Sequence, residues 1–199
     1  MCLDRRPGLN KTCDGFETMP TLETPRLILR PLRQEDAPMI QKYFGCWEVI
    51  QHLSSHVPWP YPEDAAEQFV AGRLAQVAGG SDIVWAITER GNDSLIGVLD
   101  YSAEDQGLGN RGFWLGVPWH GLGYMTEAVL AFQHYVFAEL KLDRIVVSNS
   151  VNNPASRRIK EKTGARFMGV VAGSFRNGET QSEQWEITQE SWAAFCARL

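Results

Sequence analysis

The segment from Phe113 to Leu140 constrains the fold more than any other. An extended run, Phe113-Trp114-Leu115-Gly116-Val117, passes through His120-Gly121-Leu122-Gly123 into a helical pattern with Val129, Phe132, Val136 and Leu140 on one stripe. A helix that is apolar along one stripe must bury it, and a strand leading directly into that helix supplies a sheet to cover it. The chain is therefore expected to be layered, helix on sheet. Its 199 residues suffice for one continuous core and are few for two. We expect residues 21–199 to form a single domain. Residues 1–20 mix Pro, Gly, Asp, Lys and Asn without apolar period and read as a flexible tail.

The flanking segments fit the same layering. Arg26-Leu27-Ile28-Leu29-Arg30 alternates as a half-buried strand does. Gln34 to Cys46 carries Ala37, Ile40 and Phe44 at helical intervals, and Pro62-Glu63-Asp64 opens a second helix to about Val77. Trp47 to Tyr61, rich in Trp, His and Pro, reads as irregular backbone between them. Ile83 to Thr88 and Leu95 to Tyr101 flank the turn sequence Gly91-Asn92-Asp93 as an antiparallel hairpin, with Phe113 to Val117 as a third strand. Arg144 to Ser148 is a further strand, and Pro154 to Lys162 a helix stopped by Gly164. Arg166 to Arg176 and Glu183 to Thr188 meet across Asn177-Gly178, and a short helix with Trp192 and Phe195 closes the chain. The order predicts an α/β (α+β) fold with a mixed, mostly antiparallel central sheet flanked by helices.

Several function classes are disfavoured. The longest unbroken apolar stretch, Trp192 to Ala197, is far short of the roughly 20 residues that span a bilayer, and no apolar region follows Arg5 and Arg6. A cytoplasmic protein without a membrane partner is expected. A formal charge of -5 argues against a nucleic-acid surface. Cys2, Cys13, Cys46 and Cys196 lack paired spacing and read as free thiols. His52 and His56 stand four apart with no third ligand beside them, so no metal site is expected, and His134 falls on the polar side of its helix.

Two glycine runs could hold an anion. Gly107-Leu108-Gly109-Asn110-Arg111-Gly112 matches a dinucleotide-binding fingerprint letter for letter, but a strand follows it where the fingerprint needs a helix, so it reads as a turn. His120-Gly121-Leu122-Gly123-Tyr124-Met125-Thr126 has strand, loop and helix in the right order. The first amides of a helix lack internal partners and can donate to phosphate oxygens, while glycine lets the backbone approach closely. No Gly-Lys-Ser or Gly-Lys-Thr follows, which disfavours a nucleoside triphosphate. Taken alone, the same glycines read as a tight strand-to-helix turn in which glycine relieves sterics.

Downstream lie Asn152-Asn153-Pro154-Ala155-Ser156 and Glu161-Lys162-Thr163-Gly164-Ala165. With Gly121-x-Gly123-Tyr124-x-Thr126-Glu127-Ala128, these resemble the GNAT superfamily of N-acetyltransferases, nearest its Rim-type branch, which modifies ribosomal-protein N-termini. The resemblance extends over roughly Thr24 to Phe195 and includes Thr24-Pro25-Arg26-Leu27, Pro58-Trp59-Pro60 and Trp192. It implies a split between two central strands that admits the pantetheine arm of acetyl-coenzyme A. Leu115, Gly116 and Val117 would pair with that arm, and His120, Gly121, Leu122, Gly123, Tyr124, Met125 and Thr126 would wrap the pyrophosphate or border it. Asn153 and Ser156 would lie near the pantetheine and the sulfur. The chain departs from the usual loop in having Pro118, which removes one amide, and His120, which stands as a replacement donor or as a solvent-facing histidine.

By the same analogy, the Val117 amide would donate to the oxyanion and the Ser156 hydroxyl to the departing thiolate, although Ser156 and Asn153 also fit plain helix-capping roles. Many relatives carry Glu near Asn110, and Asn cannot accept a proton. Asp100, Glu104 and Asp105 read as solvated carboxylates, which leaves water as the default proton acceptor. An α-amine, with a pKa of about 8, is already partly neutral at pH 7, whereas a lysine near 10.4 is not. The expected acceptor is thus a peptide N-terminal amine or a small amine. Trp47, Trp59, Tyr61 and Trp114 shape an acceptor pocket or serve the core. A non-catalytic acyl-coenzyme A sensor of the same fold is the competing reading, and the oligomeric state, homodimer included, stays open.

Overall fold

The computed structural model describes residues 19–80, 82–102 and 109–198. Most of the expected tail, with Cys2 and Cys13, lies outside the described residues, as do Glu104, Asp105, Gly107 and Leu108.

The elements run β1 (Leu22–Glu23), β2 (Leu27–Pro31), α1 (Ala37–Phe44), α2 (Trp47–Ile50), α3 (Ala65–Gly79), β3 (Asp82–Glu89), β4 (Asn92–Ser102), β5 (Arg111–Leu115), α4 (Tyr124–Ala138), β6 (Arg144–Ser150), α5 (Pro154–Lys162), β7 (Arg166–Ala172), β8 (Gln181–Thr188) and α6 (Gln189–Cys196). Five strands form one antiparallel sheet in sequence order, and β6-β8-β7 forms a second. The two halves of a mostly antiparallel α/β architecture are thus separate sheets, with the break between β5 and β6. No helix among the described residues is long and apolar enough to cross a membrane.

Helices cover both faces of the larger sheet, which explains the unbroken apolar character of β3. Ile83, Trp85 and Ile87 pack with Val129, Phe132 and Val136 of α4. Val84 and Ala86 point the other way, into a core shared with Ile40 of α1 and Ala66 and Val70 of α3. Alternate residues of one strand therefore serve two cores.

At the break, Asn110 ties the two sheets together. Its N–H donates to the Val146 carbonyl at 2.8 Å, and its side-chain oxygen accepts the Val146 N–H at 3.2 Å. Gly109 bridges Val147 with φ +92°, and a Cβ there would come within 2.6 Å of the Val146 carbonyl, so only glycine fits. Beyond this tie β5 pairs only with β4, and β6 only with β8. An opening remains between the end of β5 and the residues that follow β6.

Three local expectations are corrected. The strand from Phe113 ends at Leu115 and does not reach Val117: the Gly116 N–H still bonds the Ile96 carbonyl of β4, but Val117-Pro118-Trp119 then forms a 3-10 turn in which the Trp119 N–H takes the Gly116 carbonyl. The Trp119 ring then packs so closely that a Cβ on Gly116 would lie 2.9 Å from it. The segment after Cys46 is not wholly irregular, since α2 forms and buries Val49 and Ile50. β7 stops at Ala172, short of the expected Arg176; beyond it the Gly173 and Phe175 N–H groups still donate to Thr180 and Glu179 at 2.9 and 3.0 Å, while the Ser174 carbonyl accepts the Ser55 N–H at 3.0 Å.

Candidate functional site

A cavity of about 710 Å³ occupies the opening. Leu115, His120, Gly121, Gly123, Tyr124, Met125, Thr126, Asn153 and Ser156 line it, together with Glu48, Val49, His52 and Leu53 from α2 and the turn after it, and Phe113, Trp119 and Ile159. The glycine loop and the Asn-x-x-Ser helix start, 30 residues apart in the chain, thus share one cavity. Gly116, Val117, Leu122 and Asn110 do not line it. A shallower groove of about 550 Å³ between Thr24-Pro25 and α4 shares Gly123, Thr126 and Lys162 with the cavity. The larger one holds the chemistry-bearing residues.

The loop presents a row of unpartnered main-chain donors. Gly121 and Gly123 sit at φ +76° and +80°, a region L side chains avoid, and they turn the chain from the 3-10 segment into α4. The first intrahelical bond is from the Glu127 N–H to the Gly123 carbonyl at 3.1 Å, and no side chain caps this end. From Gly121 to Thr126, six consecutive main-chain N–H groups find no acceptor among the described residues. His120 does not add to them: its Nε2–H donates to the Leu115 carbonyl at 2.7 Å, on the edge where β5 lacks a neighbouring strand. Val117, as the first residue of its turn, keeps an N–H without an internal partner but is largely exposed.

A brace that sequence reasoning missed holds the loop. The Arg26 guanidinium donates to Glu127 at 2.7 Å and to the Leu122 carbonyl at 2.9 Å, and stacks 4.5 Å over the Tyr124 ring. Glu127 also accepts from the Thr24 hydroxyl at 2.6 Å and the Arg26 N–H at 2.8 Å. Burial pushes the Glu127 carboxyl up, but these donors outweigh it and hold it below its ordinary value. Arg26 and Glu127 are 101 positions apart, and no local pattern links them. Below the loop, Glu89 accepts from Tyr124 Oη at 2.9 Å and Trp119 Nε1 at 3.2 Å.

Across the cavity, Asn153 caps α5 by accepting the Ser156 N–H at 3.0 Å. The Ser156 hydroxyl oxygen accepts from Lys160 Nζ at 2.9 Å. Lys160 is 1% exposed and forms no ion pair among the described residues. Burial, and next the charge of Arg111, hold its ammonium well below the ordinary lysine value against the pull of Glu183. Arg111 is itself pushed down to about 10 by burial. Lys160 was legible only as part of the buried stripe Ser156, Ile159, Lys160, Thr163, hidden within a charge-rich helix.

His52 is the other omission. It lines the cavity wall opposite the sheet's end, its Nδ1 is buried with no partner among the described residues, and burial lowers its pKa below 6.5. Burial thus favours its neutral imidazole form. Asn110 spans the sheets with both ends of its amide engaged, donating to the Ser102 carbonyl at 3.2 Å and accepting from Val146. Asp100 is held by Arg73 at 2.6 Å and the Gly112 N–H at 2.8 Å. Of the four aromatics, Trp114 is core and lines the cavity, Tyr61 packs on Phe44, and Trp47 and Trp59 pair at 5.2 Å on the surface outside it. Among the described residues no group of three or more His, Cys, Asp or Glu is placed to hold a metal ion, and Cys46 and Cys196 are free.

Comparison with known proteins bears on this geometry. Residues 26–166 match the family model described as an acetyltransferase (GNAT) domain. The uncharacterized Bacillus subtilis N-acetyltransferase YoaA is 30% identical over 156 residues, 76% of this chain and 86% of that protein. The likewise uncharacterized N-acetyltransferase YnaD of the same organism is 25% identical over 177 residues, 86% and 98% of the two chains. Among solved structures, Mycobacterium smegmatis RimJ in complex with a CoA-disulfide superposes with a TM-score of 0.74 at 19% identity, covering 92% of this chain and 94% of that one, a likeness of fold.

Proposed function

The chain belongs to the GNAT acetyltransferase family, and on that footing we propose that it transfers an acetyl group from acetyl-coenzyme A to a primary amine, the α-amine of a peptide or protein terminus in preference to lysine. The run of six unpartnered N–H groups at Gly121 to Thr126 carries this reading. Such a row, at the positive end of the α4 dipole, suits the diphosphate of coenzyme A. The pantetheine arm would lie along the unpaired edge of β5, its amide taking over the Leu115 carbonyl that His120 now holds. That would bring the thioester beside Ser156, the group to protonate the thiolate.

The acceptor would enter past α2. Glu48, exposed at the cavity rim, attracts a cationic amine, and neutral His52 can take its proton. A weak base of this kind suits an amine of pKa about 8 far better than one of about 10.4. A ribosomal-protein terminus falls within this acceptor class. Replacing His52 by Ala is expected to lower kcat about ten- to a hundredfold. The rise of kcat with pH through the lowered imidazole value, below 6.5, should vanish with it, because only the deprotonated ring serves as base. Acetyl-coenzyme A affinity by calorimetry should stay unchanged.

The deciding assay measures thiol release with two peptides, one with a free terminus and no lysine, the other blocked and carrying lysine. Turnover confined to the first supports the proposal, and lysine-only acetylation rejects the acceptor assignment. Tight binding of acetyl-coenzyme A without turnover on any amine would make the chain a sensor.

A further inference from the structure

We propose that Lys160 is a positioning residue for acetyl transfer, aiming the Ser156 hydroxyl hydrogen into the cavity and returning a proton to that oxygen after Ser156 has protonated the departing thiolate. The inference rests on the acetyltransferase reading above and deepens it. Its starting point is one hydrogen bond. Lys160 Nζ donates to Ser156 Oγ at 2.9 Å, so the hydroxyl cannot direct its own hydrogen at Lys160 unless the amine is neutral and turned. No other acceptor for that hydrogen exists among the described residues, since Ser156 uses its N–H on Asn153 and lines the cavity with the rest of its surface. The hydrogen is left facing the cavity, where a leaving sulfur would gather charge.

The surroundings argue that this amine is kept for its chemistry. Lys160 is 1% exposed, and no carboxylate pairs with it among the described residues. Two charged groups face it from packed elements, Arg111 on β5 and Glu183 on β8, with the Phe113 ring 5.9 Å from Nζ. Glu183 is already engaged by Arg157 and Asn149. A buried amine with one neutral partner and a cation for a neighbour is unfavourable for folding, and an apolar residue of the same length would serve the core better. The same environment makes its ammonium a ready acid.

The proton count closes. When the C–S bond of the tetrahedral adduct breaks, the electron pair goes to sulfur and the Ser156 proton joins it to give the thiol. The Lys160 ammonium gives a proton to the Ser156 oxygen and is left as a neutral amine. His52 takes the proton shed by the acceptor nitrogen and releases it to solvent, which returns one to Lys160, so one proton moves from nitrogen to sulfur overall.

The test is the pH dependence of kcat in the full chain, for the wild type, K160M, K160R, S156A and S156A/K160M, with a free-terminus peptide and saturating acetyl-coenzyme A. Wild-type kcat should fall as pH rises through a value below 10.5, because the protonated form is the useful one. K160M should lose about ten- to a hundredfold at pH 7 together with that alkaline limb, with KM for acetyl-coenzyme A unchanged and a melting temperature no lower than the wild type's. K160R, which keeps a donor and a charge, should recover part of kcat without the limb. The double variant should be no slower than S156A. A K160M enzyme with wild-type kcat and limb overturns the proposal, as does multiplication of the two single losses in the double variant. Should K160M fail to fold, absence of the alkaline limb from the wild type overturns it equally. A wild type that turns over no amine sinks the acetyltransferase reading itself, a distinct result.

Discussion

Replacing Gly123 by Val should abolish useful binding of coenzyme A, raising its dissociation constant by about a hundredfold or more, equivalent to about 2.8 kcal/mol. Gly123 holds φ +80° and ψ 1° at the cap of α4, where a β-branched residue is strained by roughly 1–2 kcal/mol. A Cβ at that position lies 3.5 Å from the Arg26 guanidinium, and the two methyl groups of Val beyond it displace the arginine that ties Leu122 to Glu127. The strain and the collision act together on the amides from Gly121 to Thr126. Isothermal titration with coenzyme A reads the effect. Gly178→Val is the control, because Gly178 has nearly the same φ, +84°, in the turn after β7 with nothing within 4 Å of an added Cβ. It should lose stability and keep affinity. If the two variants lose stability alike and both bind normally, the loop is only a turn.

The second large effect is on stability. Arg30→Ala should cost about 3–5 kcal/mol and lower the melting temperature by about 10 °C or more. Arg30, 5% exposed, holds Asp36 through two hydrogen bonds of 2.7 and 2.9 Å and Asp93 through one of 2.5 Å. It joins β2, the entry to α1 and the β3–β4 turn. Removing it leaves Asp36, itself 4% exposed, with the Arg33 N–H at 2.8 Å as its remaining donor. Most of the loss comes from that stranded carboxylate, so Arg30→Met with Asp36→Leu should regain much of it. None of these residues lines the cavity, and coenzyme A affinity measured well below the melting temperature should be retained. Thermal unfolding of the two singles and the double checks the coupling.

Locally encoded features were legible. The Asn153 side chain caps α5, the helix runs from Pro154 to Lys162 as its pattern predicts, and Gly164 follows it at φ +81°. The glycine loop stands between strand and helix because Gly121 and Gly123 are the residues able to hold positive φ there. The strand that feeds it was read two residues too far along the chain, since its end depends on the 3-10 turn at Val117-Pro118-Trp119 and on where the Trp119 ring packs.

The amino-acid order by itself determined the glycine loop between strand and helix and the capped helix facing it, because each depends on residues within a few turns of one another, and the sum of such local patterns along the chain pointed to the layered architecture and the family. Tertiary structure alone decided that Glu127 is bound by Thr24 and Arg26, that His52 forms a wall of the cavity, and that Lys160 is buried against Ser156 while Lys162 reaches its rim. Burial and charge pairing are set by which surfaces meet across the core. A lysine in a polar helix looks the same in sequence whether water or a phenylalanine ring lies above it.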